Sequence, residues 1–126
     1  MIAMGLSSSR AAGALVFLAS CVMTPSVLAH AHLKQQTPAA DSLVTAPRTL
    51  TLTFSEGIEP GFSGVVVTDA QKQTIRTGAV KRDEKDKTQL NVSLDRELTP
   101  GTYQVDWHVV SVDGHKTKGS YHFSVK

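Results

Sequence analysis

Three histidines and one aspartate have the types and spacing to hold a metal ion. His30 and His32 flank Ala31 in Val27-Leu28-Ala29-His30-Ala31-His32-Leu33, and Asp113 and His115 flank Gly114 in Ser111-Val112-Asp113-Gly114-His115. A histidine at the first position of a processed chain brings a primary amine and an imidazole nitrogen that close a chelate ring on one ion. The α-amine has an ordinary pKa of about 7.7–8.0 against about 10.4 for lysine, so freeing its lone pair near neutral pH costs little. An aspartate and a histidine two apart, with a glycine that lets the backbone turn tightly, can aim a carboxylate oxygen and an imidazole nitrogen at one point. The combined set is an amine, two imidazoles and a carboxylate, with no sulfur. Such donors suit tetragonal Cu(II) better than the tetrahedral cages of zinc. The same residues also fit plainer readings: a leader that happens to be cut before a histidine, and a turn in which Asp113 bonds the backbone and His115 faces solvent.

The amine exists only if a leader is removed. Residues 1–29 have the form of an export signal, with Arg10 as the positive flank, an apolar stretch from Ala11 to Met23, and Val27-Leu28-Ala29 as the small-residue cleavage site. That stretch is too short and interrupted for a membrane span of roughly 20 residues. Leu18-Ala19-Ser20-Cys21 also resembles a lipobox, with Cys21 as a candidate for acylation, but the apolar core ahead of it is shorter than the roughly 7–15 residues usual for a signal. Cleavage after Ala29 leaves residues 30–126 as one domain. It also removes Cys21, Met1, Met4 and Met23, so no disulfide is available and stability must come from the core.

Positioning these donors falls to strands. Leu50 to Phe54, Leu90 to Leu94, Tyr103 to Val109 and Tyr121 to Val125 alternate apolar and polar residues, and Val65 to Val67 is a β-branched run. Turn-forming clusters separate these runs, and no window shows a helical stripe. Seven or so short strands predict an antiparallel Greek-key β-sandwich or barrel of the immunoglobulin-like kind. Tyr103, which begins a strand after the Pro100-Gly101 turn, has the pattern of a tyrosine corner. The mixed-sign run Lys81 to Lys87 reads as a solvated hairpin loop. With 13 Lys and Arg against 11 Asp and Glu, a formal charge of +2, no basic stripe points to nucleic acid.

The stretches His30-Ala31-His32-Leu33, Leu52 to Gly64 and Leu98 to Val125 together resemble the CopC-type periplasmic copper-binding proteins, including their YobA-like members. The resemblance spans nearly the whole of residues 30–126. It implies a Greek-key β-barrel, a location in the periplasm, one Cu(II) per chain, and ligands at the N-terminal histidine and in the Ser-x-Asp-x-His segment, here His30, Asp113 and His115. Glu56 matches the glutamate of the family's Phe-Ser-Glu-Gly motif, which lies near the copper. A CopD-like inner-membrane copper transport protein is the implied partner, and sequestration or transfer of copper in homeostasis or resistance is the implied function, without catalysis. Some relatives hold Cu(I) on a methionine-rich loop. Residues 30–126 contain no Met or Cys, so that activity is not expected here, and neither is a thiolate-dependent blue-copper site.

His32 offers a rival terminal chelate of the X-X-His kind, though a place early in the first strand is expected for it. His108 and His122 are expected not to ligate. Two other functions fit parts of the pattern. A histidine-brace copper monooxygenase would also use His30 and a second histidine, but Asp113 supplies an anion that favours Cu(II) over Cu(I). A metal-free immunoglobulin-like adhesion module leaves a chain start at His30 unexplained.

Overall fold

Where apolar and polar residues alternate, the chain forms strands whose apolar side chains face inward. The computed structural model describes residues 31–126, so the expected leader, residues 1–29, and His30 lie outside the described residues. The strands are β1 (Leu33–Thr37), β2 (Leu43–Val44), β3 (Thr49–Phe54), β4 (Gly64–Thr68), β5 (Thr74–Ile75), β6 (Thr77–Arg82), β7 (Gln89–Leu94), β8 (Gly101–Val110) and β9 (Lys116–Val125). One sheet runs β1-β3-β7-β6 and the other β2-β9-β8-β4-β5. The pairings β3 with β7 and β4 with β8 join strands far apart in sequence, which makes this the two-sheet sandwich that the alternation predicts. One pair departs from the antiparallel expectation: the two-residue β2 runs parallel to the end of β9.

The core lies between the sheets. Leu50, Leu52 and Phe54 of β3 and Leu90, Val92 and Leu94 of β7 face Val65, Val67, Tyr103, Val105, Val109, Phe123 and Val125 of the other sheet, all buried. Trp107 of β8 packs edge-on against Phe54, with ring centroids 5.2 Å apart at 71°. Its indole lies across Gly119, its partner on β9, where a Cβ would fall 2.6 Å from Cζ2. Glycine at 119 is what lets this ring lie down. The tyrosine corner is present: Tyr103 Oη donates to the Thr99 carbonyl at 2.7 Å, pinning the entry to β8. The run Lys81 to Lys87 closes the β6–β7 hairpin, where Asp86 Oδ1 accepts from the Thr88 amide at 2.9 Å and hydroxyl at 2.6 Å.

Two core tyrosines differ in one respect. Tyr103 Oη has its partner, whereas the buried Tyr121 Oη has none among the described residues. Tyr103→Phe should therefore lower the urea-derived stability by about 1 kcal/mol, while Tyr121→Phe should leave it equal or raise it. Burial pushes the Tyr121 phenol up to about 12. An unfolded tyrosine ionises near its ordinary value of about 10, so this contribution is intact below that pH and is lost as pH rises from there toward 12. Urea titrations above pH 10 should show a loss in the native chain that Tyr121→Phe lacks.

Candidate metal centre

Asp113 and His115 sit on the turn joining β8 to β9, and Ser111 builds that turn. Ser111 is fully buried. Its amide donates to the His115 carbonyl at 2.9 Å, and its carbonyl accepts from the Gly114 amide at 2.8 Å. Gly114 has φ 92, the left-handed conformation that the Asp-Gly-His spacing requires and that a side chain would strain. The Ser111 hydroxyl donates to Asp113 Oδ1. The same oxygen lies 3.3 Å from the His115 amide and 3.1 Å from His115 Nδ1. Both side chains remain close to half exposed, at 44% and 46%. The carboxyl of Asp113 is held below its ordinary range chiefly by the Ser111 hydroxyl, with His115 adding to the effect.

The Phe54-Ser55-Glu56-Gly57 segment leaves β3 and runs beside this turn. The Val112 amide donates to the Gly57 carbonyl at 2.9 Å, and Ile58 bridges to Ser111. Ile58 is itself fixed from the β6–β7 hairpin: its amide donates to the Lys87 carbonyl at 3.0 Å, and its carbonyl accepts from Arg82 Nη1 at 3.1 Å. Glu56 is half-buried on this loop.

The start of the described chain is tied to the same end of the sandwich. The His32 amide donates to Ser55 Oγ at 2.8 Å, and its carbonyl accepts from the Ser55 amide at 2.9 Å. Thr117 Oγ1, two residues past His115, donates to the Ala31 carbonyl at 3.1 Å. Ala31 is buried, so the described chain begins at a point clamped between the end of β3 and the start of β9. Ala31 and His32 also share a groove with Trp107 and Gly119.

Of the residues singled out from the sequence, Asp113 and His115 are in contact, Glu56 stands on the adjoining loop, and His30 lies outside the described residues. Among the described residues no three His, Cys, Asp or Glu side chains form a ready metal cluster. His32 immediately precedes β1. His108 and His122 point outward from the five-stranded sheet, where His108 covers Gly64 and His122 Nε2 lies 3.2 Å from Gln104 Oε1. Ser111, Ser55 and Thr117, which hold the three segments together, were not singled out. Only Ser111 left a signal, as the first residue of the Ser-x-Asp-x-His stretch.

This two-sheet β-sandwich belongs to the CopC family. The family model described as the CopC domain matches residues 33–126. Protein YobA of Escherichia coli strain K12 is 59% identical over 114 residues, covering 90% of this chain and 92% of YobA. Copper resistance protein C of Xanthomonas campestris pv. juglandis is 34% identical over 116 residues, covering 88% and 91%. Among solved structures, selenomethionine PcoC, a copper resistance protein from Escherichia coli, superposes with a TM-score of 0.71 at 34% identity, covering 75% of this chain and 99% of that one.

If the Ser111 hydroxyl is the main cause that lowers the Asp113 carboxyl, Ser111→Ala should bring it back up toward the ordinary carboxylate range. The interaction stabilises the fold at pH values above that ordinary value and is lost as pH falls through the lower native one. A 13C-detected NMR titration of Asp113 in metal-free protein measures it. An unchanged titration in the variant would assign the effect elsewhere.

Proposed function

We propose that this protein binds one Cu(II) in the periplasm and sequesters or passes it on without transforming a substrate. The ligands are the amine and imidazole of His30, exposed by leader cleavage after Ala29, together with Asp113 and His115. Glu56 takes an axial or water-mediated place beside them. The observation that carries this reading is the 3.1 Å separation of Asp113 Oδ1 and His115 Nδ1 on a turn anchored by a buried serine. Two donors each about 2.0–2.2 Å from one ion and at right angles to each other lie about 3 Å apart, so the pair already has the bite of a chelate. Such preorganisation lowers the cost of binding. The backbone ties of Ala31 and His32 to Thr117 and Ser55 support His30 as the completing ligand, because they hold the residue next to it, Ala31, two residues along β9 from His115. Relatives bearing the name copper resistance protein support copper as the cargo. A CopD-like membrane protein is the proposed recipient or source.

The rival X-X-His chelate would use the His32 amide nitrogen as a ligand. That N–H is engaged by Ser55 Oγ at 2.8 Å, and losing the bond would release the segment that the fold clamps. The histidine-brace enzyme is disfavoured by Asp113, an anionic oxygen donor that suits Cu(II) better than Cu(I).

Retaining one residue ahead of His30 converts the amine to an amide and should weaken Cu(II) binding in competition with a chelator. Equal affinity of the extended and cleaved forms would remove the amine from the site. His115→Ala and Asp113→Ala should each cost more than the roughly 10–100-fold typical of residues that merely orient ligands, and should change the electron paramagnetic resonance spectrum. His108→Ala and His122→Ala should leave it alone. If His32→Ala abolishes binding and His115→Ala is silent, the terminal chelate is the site.

Trp107 shares a groove with Ala31 and His32, so Cu(II) should quench its fluorescence. Ascorbate with a Cu(I) chelator should restore it, since a site without sulfur disfavours the softer ion. Retained Cu(I), or sustained oxygen consumption, would support the enzyme instead.

A further inference from the structure

We propose that the outer face of the five-stranded sheet, at the end that carries the ligand turn, docks an extended protein segment bearing two carboxylates two residues apart beside an apolar side chain. The surface is a groove lined by Phe62, His108, Val110, Lys116, Thr117 and Lys118. Phe62 stands on a short 3-10 turn, Pro60–Phe62, with 71% of its surface in solvent. Val66, farther along the same face, and Val112, on the turn itself, are also exposed. An exposed aromatic ring beside an apolar-lined groove marks a candidate interaction surface.

The charges select the partner. Lys116 and Lys118 alternate outward along β9, opposite Val110 and His108 of β8. Among the described residues neither pairs with a carboxylate, Glu59 of the adjoining turn included. Asp106, the acidic residue of β8 on this face, is tied instead to the Ser120 hydroxyl and to Gln104 Nε2 at 2.9 Å. The two lysines project at the two-residue repeat of a strand, about 6.8 Å. Carboxylates at alternate positions of an extended segment repeat at the same spacing, so one such segment meets both lysines while a neighbouring apolar side chain meets Phe62.

His108 leaves the groove open because its ring lies on Gly64, where a Cβ would fall 2.6 Å from Cε1. A protein segment fits better than a lipid surface. Membrane binding grows with buried apolar area and with the number of basic residues, and this face offers one projecting aromatic ring and two lysines. Because Lys116 follows His115 directly, a segment docked here lies beside the proposed copper ligands. That relevance to transfer rests on the copper reading, whereas the docking itself needs no metal.

The test uses copper-free, 15N-labelled protein beginning at His30, titrated with a synthetic peptide that places glutamates at alternate positions next to a phenylalanine. Amide shifts should gather on Phe62, His108, Val110, Lys116 and Lys118. The double variant Lys116→Glu/Lys118→Glu should weaken binding at least tenfold, and Phe62→Ser should weaken it further in the native-charge background than any change at Leu43. Lys81→Glu/Lys85→Glu, with the same net charge as the first variant, should bind like the native chain, and dispersed spectra confirm that each variant is folded. No shift at millimolar peptide, shifts scattered over Lys34, Lys72, Lys81 and Lys87, equal binding of a peptide with lysines in place of the glutamates, or binding to phosphatidylglycerol vesicles alone would overturn the proposal. With copper left out, failure here leaves the copper proposal standing, and failure to bind copper leaves this result unchanged.

Discussion

The hydroxyl of Ser111, buried at the end of β8 and bonded to Asp113, is the interaction on which the donor turn depends. A short polar side chain at this point reaches both the carboxylate and the backbone of the turn. The Ser111 hydroxyl donates to Asp113, while the residue's own amide and carbonyl bond the His115 carbonyl and the Gly114 amide. A buried polar group without partners is costly, so Ser111 is stable here only because the aspartate and the backbone around it are in place. The stability of the turn and the placement of Asp113 and His115 are thus held by one set of bonds. Any ion on Asp113 and His115 would meet a turn that is already ordered.

The rest of the sandwich brings other parts of the chain to that turn. Ile58, held from Lys87 and Arg82 on one side and bridged to Ser111 on the other, connects the β6–β7 hairpin to the donor hairpin. Ser55 and Thr117 hold the backbone of His32 and Ala31 from opposite sheets. The Ala31–His32 backbone is therefore tied to both sheets. In the proposed function this matters because the backbone next to His30 is already held, which leaves less to order on binding.

How much of this was legible in the residues follows the physics of each element. β3, β4, β7, β8 and β9 were readable because alternate side chains enter a common core and the rest face water. β1 was legible as a first strand near His32 but not in its extent, since only Leu33 and Gln36 of Leu33–Thr37 are partly buried and the register shifts between Leu33 and Gln35. β6 carries a similar irregularity between Thr77 and Val80, and the two-residue β2 exists through its pairing with β9. On the site, Asp113-Gly114-His115 announced its turn because glycine between two donors has a backbone reason. The tethers from Ser55 and Thr117 left no trace, because each joins a common hydroxyl to a backbone group distant in sequence. His30 was singled out from a cleavage motif and a family resemblance, and it lies outside the described residues.

The central claim is that one Cu(II) is held jointly by the chain terminus and the β8–β9 turn. A crystal structure of the Cu(II)-loaded protein beginning at His30 tests it most directly. The account predicts a single copper bound by the amine and imidazole of His30, by His115 and by Asp113, with the His32 amide still bonded to Ser55. Copper coordinated by the amides of Ala31 and His32 and by the His32 imidazole, with Asp113 and His115 unbound, would contradict it.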